Sequence, residues 1–215
     1  MLGLDERDMG YKMKKPYFII ALAILIIVPG VAYFYAKPLS PTPVHARDLG
    51  IHPRGQDLSS ARYKIKDLQS GQEVRLDSRE MTAWLTKAGK NGPLIKTQVK
   101  INRDQSMEIS GLLVSKRLEP YASSHGFSAE SARQLVDQLG GSEYIPIYIR
   151  CKATVNNGEL KLKISNIELG DLVVPQFIIR DKQAEIERMV QKVLQDNQIK
   201  TLRVENQELY LEMSK

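Results

Sequence analysis

Residues 145–169 read IPIYIRCKATVNNGELKLKISNIEL. Ile145, Ile147, Ile149, Cys151, Ala153 and Val155 fall on every second position, the period of a strand with one buried face. Asn156-Asn157-Gly158 supplies residues that tolerate positive φ and predicts a tight turn. Leu160, Leu162 and Ile164 then resume the alternation, which slips by one at Ser165-Asn166 before Ile167 and Leu169. The slip predicts a bulge that bends a long hairpin.

On the C-terminal side, Asp181 opens a helical pattern in which Ile186, Met189, Val190, Val193 and Leu194 share one face as far as Asn197. Leu202 and Val204, then Leu209, Leu211 and Met213, predict a closing hairpin around Asn206-Gln207. On the N-terminal side, Ser128 caps a helix whose apolar stripe is Ala132, Leu135, Val136 and Leu139, ended by Gly140-Gly141. Ile95, Thr97, Val99 and Ile101 alternate toward a turn at residues 102–105 and return through Met107, Ile109, Gly111 and Leu113, with Gly111 as a candidate bulge. Asp77 and Glu80 form a capping pattern before Met81, Trp84, Leu85 and Ala88, a short amphipathic helix closed by Gly89. Residues 62–68 and 73–76 read as short strands joined at Ser70-Gly71. Four hairpins separated by three helices, with neighbouring strands antiparallel, make the fold class α+β.

The N-terminal part is of another kind. Residues 17–35, YFIIALAILIIVPGVAYFY, carry no charge and are long enough, at about 1.5 Å per residue, to cross the ~30 Å hydrocarbon core. Tyr17 and Phe18 at one end and Tyr33 and Tyr35 at the other suit the headgroup level, Ile19 and Leu25 suit the apolar interior, and Pro29 precedes Gly30 near the far end. Arg7, Lys12, Lys14 and Lys15 precede the run and only Lys37 follows closely, so the N-terminus is expected in the cytoplasm. A cleaved leader is the competing reading, because Val44-His45-Ala46 has a small-x-small pattern. Anchoring is preferred because that site lies well beyond an apolar run that is long for a leader. The chain thus divides into a cytoplasmic tail (1–16), a single-pass transmembrane helix (17–35), a stalk with Pro38, Pro41, Pro43 and Pro53 (36–55) and an extracytoplasmic α+β domain (56–215).

Composition removes several functions. One cysteine in 215 residues excludes a disulfide scaffold and a multi-cysteine zinc or iron–sulfur protein. From Lys37 onward there are 27 Lys+Arg against 22 Asp+Glu, a mild surplus that does not point to nucleic acid. His45, His52 and His125 lack the spacing of a metal site, and no phosphate-binding glycine loop occurs, so neither metal nor cofactor is expected. Ser123-Ser124-His125 lacks the G-x-S-x-G elbow of a hydrolase and reads as a loop. Cys151 sits on the apolar face of the best strand, where a thiol behaves as a small hydrophobe. Glu185 and Glu187 lie near Arg188 and Lys192 on a polar helix face, the ordinary use of i, i+4 charge.

The order EVRLDSREMTAWL (73–85), a hairpin, a long Asn-Gly hairpin, IELGDLVVPQFI (167–178), a helix and a terminal strand pair resembles the small membrane-anchored bacterial envelope domains of the YpmS-like and LmeA-like kind, with their tubular-lipid-binding-like architecture. The resemblance covers residues 60–213 and rests on apolar patterning with Gly170 and Pro175. It implies a long curved antiparallel sheet wrapped on amphipathic helices, with an apolar channel for acyl chains and no catalytic residue. Asp171 after Gly170, and Arg150 and Lys152 between the apolar positions, depart from the pattern.

A non-catalytic, envelope-located domain that binds a lipid or other long apolar ligand is therefore expected. Ile145, Ile147, Ile149, Leu160, Leu162, Ile164, Ile186, Met189, Val190 and Val193 are the candidate lining, although the helical stripe among them serves equally as plain core. Arg150, Lys152, Lys161 and Lys163 form a basic outer face, either solvated or in contact with anionic headgroups or acidic cell-wall polymers. The alternative is a ligand-free interaction module supporting an envelope protein partner. An enzyme fits least, because no nucleophile, base and orienting group assemble from these residues.

Overall fold

A computed structural model describes residues 45–69, 72–124, 129–138 and 141–214. The expected membrane run with Tyr17, Phe18, Ile19, Leu25, Pro29, Tyr33 and Tyr35 lies outside the described residues, as do Ser128, Leu139 and His125. In chain order the elements are α1 (Gly55–Gln69), β1 (Val74–Leu76), α2 (Ser78–Ala88), a 3-10 turn (Gly89–Asn91), β2 (Leu94–Ile101), β3 (Met107–Val114), α3 (Ser115–Ser124), α4 (Ala129–Gln138), β4 (Tyr144–Asn156), β5 (Glu159–Leu169), β6 (Leu172–Val173), α5 (Gln176–Asp196), β7 (Ile199–Glu205) and β8 (Glu208–Met213). This is an α+β fold with one antiparallel sheet.

The long hairpin is formed as read. β4 and β5 pair through a turn in which Asn157 and Gly158 have φ of 51° and 80°, the left-handed pair that a two-residue hairpin turn requires. Arg150 faces Asn166 and Cys151 faces Ile164, so Ser165 is the extra residue and both halves of β5 keep their apolar side chains on one face. β4 outreaches its neighbours. One of its edges carries β5, while the other carries β3 along residues 144–151 and then meets β7 at Val155. β8 joins β7, and β1 joins β8 at the rim. The closing hairpin turns at Asn206 and Gln207, both with positive φ.

Several expectations are corrected. Residues 62–68 are helix, because Ala61, Ile65 and Leu68 stand at i, i+4 and i+7 and are each at most 1% exposed, a stripe that outweighs the local alternation. β1 therefore has no hairpin partner beside it. It pairs with β8, more than 130 residues away, so the expected first hairpin is absent, and the hairpins are β2–β3, β4–β5, β5–β6 and β7–β8. The bulge near Gly111 lies on the partner strand: β2 shifts register between Ile95 and Gln98, with Lys96 at φ 50°, so Ile95 leaves the buried row that holds Leu94, Thr97, Val99 and Ile101. α5 starts at Gln176 rather than Asp181, since Pro175, which has no N–H, suits a helix start and Ile178 and Ile179 are buried. A helix over Ser115–Ser124, with Pro120 inside it, was not expected from the pattern.

Two helices seal the sheet edges. Along β2, Ile101 N–H donates to Ser78 Oγ (2.9 Å), Val99 N–H to Thr82 Oγ1 (2.9 Å), and Thr86 Oγ1 donates to the Thr97 carbonyl (3.2 Å). These α2 residues recur every fourth position, one face of a helix laid along a strand. Along β5, Gln183 Nε2 donates to the Leu162 carbonyl (2.8 Å), Gln176 Nε2 to the Ser165 carbonyl, and Gln191 accepts from Leu160 N–H (2.7 Å) while donating to the Gly158 carbonyl.

α1 is tied to α2 by a buried carboxylate. Glu80 completes the capping box with Asp77 and accepts from Lys64 Nζ at 2.7 Å and from Ser60 Oγ. Burial raises its pKa, but the hydrogen bonds from Lys64, Ser60 and the Asp77 backbone outweigh this and hold it below the ordinary value of 4.5. Its stabilisation is therefore full above pH 4.5 and fades as pH falls through the lowered value. Glu80→Gln is expected to cost about 2–3 kcal/mol in urea unfolding at neutral pH, with the gap to the parent narrowing in acid. Gly111 is a separate constraint: a Cβ there would lie 2.9 Å from Leu94 Cδ1 and 3.1 Å from the Ile95 carbonyl. Gly111→Ala should cost about 1–3 kcal/mol in the same measurement.

Candidate functional site

Between the two edge helices, the inner face of the sheet is not completely filled. A cavity of about 200 Å³ is walled by Met81, Trp84 and Leu85 of α2 on one side and by Ile186, Val190, Val193 and Leu194 of α5 on the other. Its floor is Val99, Met107 and Ile109, then Ile149, Cys151 and Ala153, then Leu160, Leu162 and Ile164, and its end is formed by Ile199, Leu202, Leu209 and Leu211. The floor exists because the alternation keeps one apolar row per strand and the Ser165 bulge preserves it past the bend. Met81, Trp84, Ile109, Ala153, Leu160 and Leu202 are half-buried rather than buried, so the cavity meets solvent through apolar groups.

Electrostatically the cavity is bare. No carboxylate, lysine, arginine or histidine lines it, and Asn197, past the C-terminus of α5, is the one side-chain amide at its wall. The Asn197 Nδ2 donates to the Val193 carbonyl at 2.7 Å. Burial pushes the Cys151 thiol up to about 12, so it stays protonated.

Ile149, Leu160, Leu162, Ile164, Ile186, Val190 and Val193 of the expected lining are thus brought together. Ile145 and Ile147, each 2% exposed, lie farther along β4 in the solid core, and Met189 packs against that core without reaching the cavity. The α2 wall is absent from the expected lining, although Met81, Trp84 and Leu85 share one helix face. Its signal was present: a tryptophan and a methionine on a short helix are more apolar bulk than one sheet face needs.

The outer face of the sheet is polar. Arg150 pairs with Asp104 at 3.0 Å, and the Ser106 hydroxyl and backbone N–H hold that carboxyl at about 2. Lys152 faces Lys163 across the strands and Lys161 faces Thr154, all exposed. Arg47 stacks on Tyr148 (4.2 Å) and pairs with Glu168 (3.2 Å); burial and the hydrogen bond to Glu108 push Tyr148 up to about 12, so its ring stays neutral. The segment before α1 lies across this face, with the Arg47 carbonyl accepting from Ser110 Oγ and Leu49 N–H donating to Gln98 Oε1.

The other candidates do not assemble. His45 and His52 are exposed, and among the described residues no three His, Cys, Asp or Glu side chains converge on a point. Ser123 Oγ donates to the Glu119 carbonyl one helical turn back. Glu185 and Glu187 sit beside Lys182 and Gln183. No helix among the described residues is long and apolar enough to cross a membrane. No protein-family model matches this chain, and comparison with curated proteins and with solved structures gives no match.

Cys151 offers a direct probe of the cavity. A disulfide reagent at pH 8 is expected to modify it at least ~100-fold more slowly in the native protein than in urea. A reaction equally fast in both states would mean that the wall is open at Cys151.

Proposed function

We propose that this chain is a single-pass membrane protein, N-terminus inside, whose extracytoplasmic domain holds a lipid or other long apolar ligand at the cell envelope without catalysing a reaction. The supporting observation is the cavity, whose wall is apolar throughout save Asn197. In this reading the bulged β4–β5 hairpin curves around α5, and the ligand lies in the trough between α5 and α2. A cavity near 200 Å³ suits a segment of one apolar chain, each buried CH₂ of which contributes ~0.8 kcal/mol. A charged headgroup has no charged partner inside and stays at the rim. The alternative, a ligand-free module for an envelope partner, is left with the outer face, because side chains close both long edges of the sheet.

The full-length protein, extracted under native conditions, is expected to carry lipid detectable by mass spectrometry and to take up a fluorescent acyl probe. Val190→Trp should block uptake while unfolding free energy changes by less than about 2 kcal/mol, since the ring fills existing space. Ile147→Asn, in the solid core, should instead cost about 3 kcal/mol or more. A protein with no bound lipid and no uptake, or a Val190→Trp variant that binds the probe unchanged, removes the ligand-binding reading.

A further inference from the structure

The outer face of the β4–β5 hairpin holds charge that the fold does not use. Lys152 and Lys163 stand directly across from each other on neighbouring strands, an arrangement that destabilises a sheet when nothing offsets it. Asp104 attracts Lys152, but its close partner is Arg150 at 3.0 Å. Lys161 and Lys163 make no ion pair among the described residues. These lysines therefore present positive charge outward from the paired strands β4 and β5.

At the other end of the same face is exposed Val173, followed four residues later in the chain by exposed Phe177. Glu168, held by Arg47, lies opposite Val173 of β6, which is 58% exposed, and Phe177 in the first turn of α5 is 55% exposed. Every other large aliphatic or aromatic side chain among the described residues is less exposed than these two, Tyr63 of α1 excepted. The chain also reaches the domain here: the described residues begin at His45, two positions before Arg47. Residues 36–44 separate that point from the uncharged run 17–35 and, fully extended, reach about 30 Å.

Resting on the reading of residues 17–35 as a membrane anchor, we propose that the outer face of β4, β5 and β6 lies on the bilayer beside its own anchor. Lys152, Lys161 and Lys163 meet anionic lipid headgroups, and Val173 and Phe177 enter the headgroup layer. The tether makes the contact intramolecular in effect, so individually weak interactions suffice. The cations supply attraction to an anionic leaflet and the apolar pair supplies depth, a combination that a bilayer interface satisfies and a soluble polyanion does not. The cavity, on the opposite face of the sheet, then opens away from the lipid on which the domain rests.

The test uses the full-length chain reconstituted into phosphatidylcholine vesicles with and without phosphatidylglycerol. Val173→Cys carries a polarity-sensitive fluorophore, and Arg188→Cys on the exposed side of α5 is the control; the buried Cys151 thiol leaves the introduced site selectively labelled. Flotation is expected for both variants. The position-173 label should shift to the blue and lose iodide quenching only with phosphatidylglycerol, the position-188 label should not, and Lys161→Glu with Lys163→Glu should reduce the docked fraction about tenfold. A chain that floats while position 173 stays open to iodide overturns the docking and leaves the anchor intact. A chain that does not float overturns both. Polyphosphate that protects Lys161 and Lys163 from acetylation where vesicles do not would assign the face to a soluble polymer and overturn the bilayer contact.

Discussion

An antiparallel sheet leaves rows of unpaired N–H and C=O groups on its outermost strands, and the way this molecule satisfies them determines its shape. β2 is closed by Ser78, Thr82 and Thr86 of α2, and β5 by Gln176, Gln183 and Gln191 of α5. Short hydroxyl side chains hold α2 close to its strand, whereas the longer glutamines let α5 stand off. Because both helices are pinned at the rims, the middle of the inner face is covered only by side chains reaching in from either side. The gap they leave is the cavity. The site thus follows from edge satisfaction rather than from a dedicated loop.

The same arrangement separates two kinds of surface across one sheet. Alternation along β4 sends Ile149, Cys151 and Ala153 inward and Arg150, Lys152 and Thr154 outward, so neighbouring residues serve opposite environments. A one-residue slip would invert both faces, and the Ser165 bulge absorbs the extra residue without doing so. An apolar cavity and a cationic face are therefore coupled products of a single register.

How much of this could be read from the letters depended on the range of each interaction. The β4–β5 hairpin was legible down to its bulge, because alternation, turn and partner all lie within 25 consecutive residues. The capping box at Asp77 and Glu80 was legible for the same reason, but the Ser60 and Lys64 side chains that complete the Glu80 site come from α1, where Tyr63 and Ile65 imitate a strand. The pairing of β1 with β8 carries no local signal at all. The membership of the cavity wall lies between these cases: the α5 stripe and the β4–β5 floor were named, while Met107, Ile109, Leu209 and Leu211 enter it only through the curl of the whole sheet.

β8 lies between β1 and β7, so a rim strand near the start of the domain is held by the last strand among the described residues. Val74 and Leu76 gain their partners Leu211 and Leu209 only once residues 208–213 are present. Without them β1 has no strand beside it, and the cavity loses Leu209 and Leu211 from one end. The rim of the sheet is thereby closed by contacts between residues more than 130 positions apart, so strands from the two ends of the described domain share one edge.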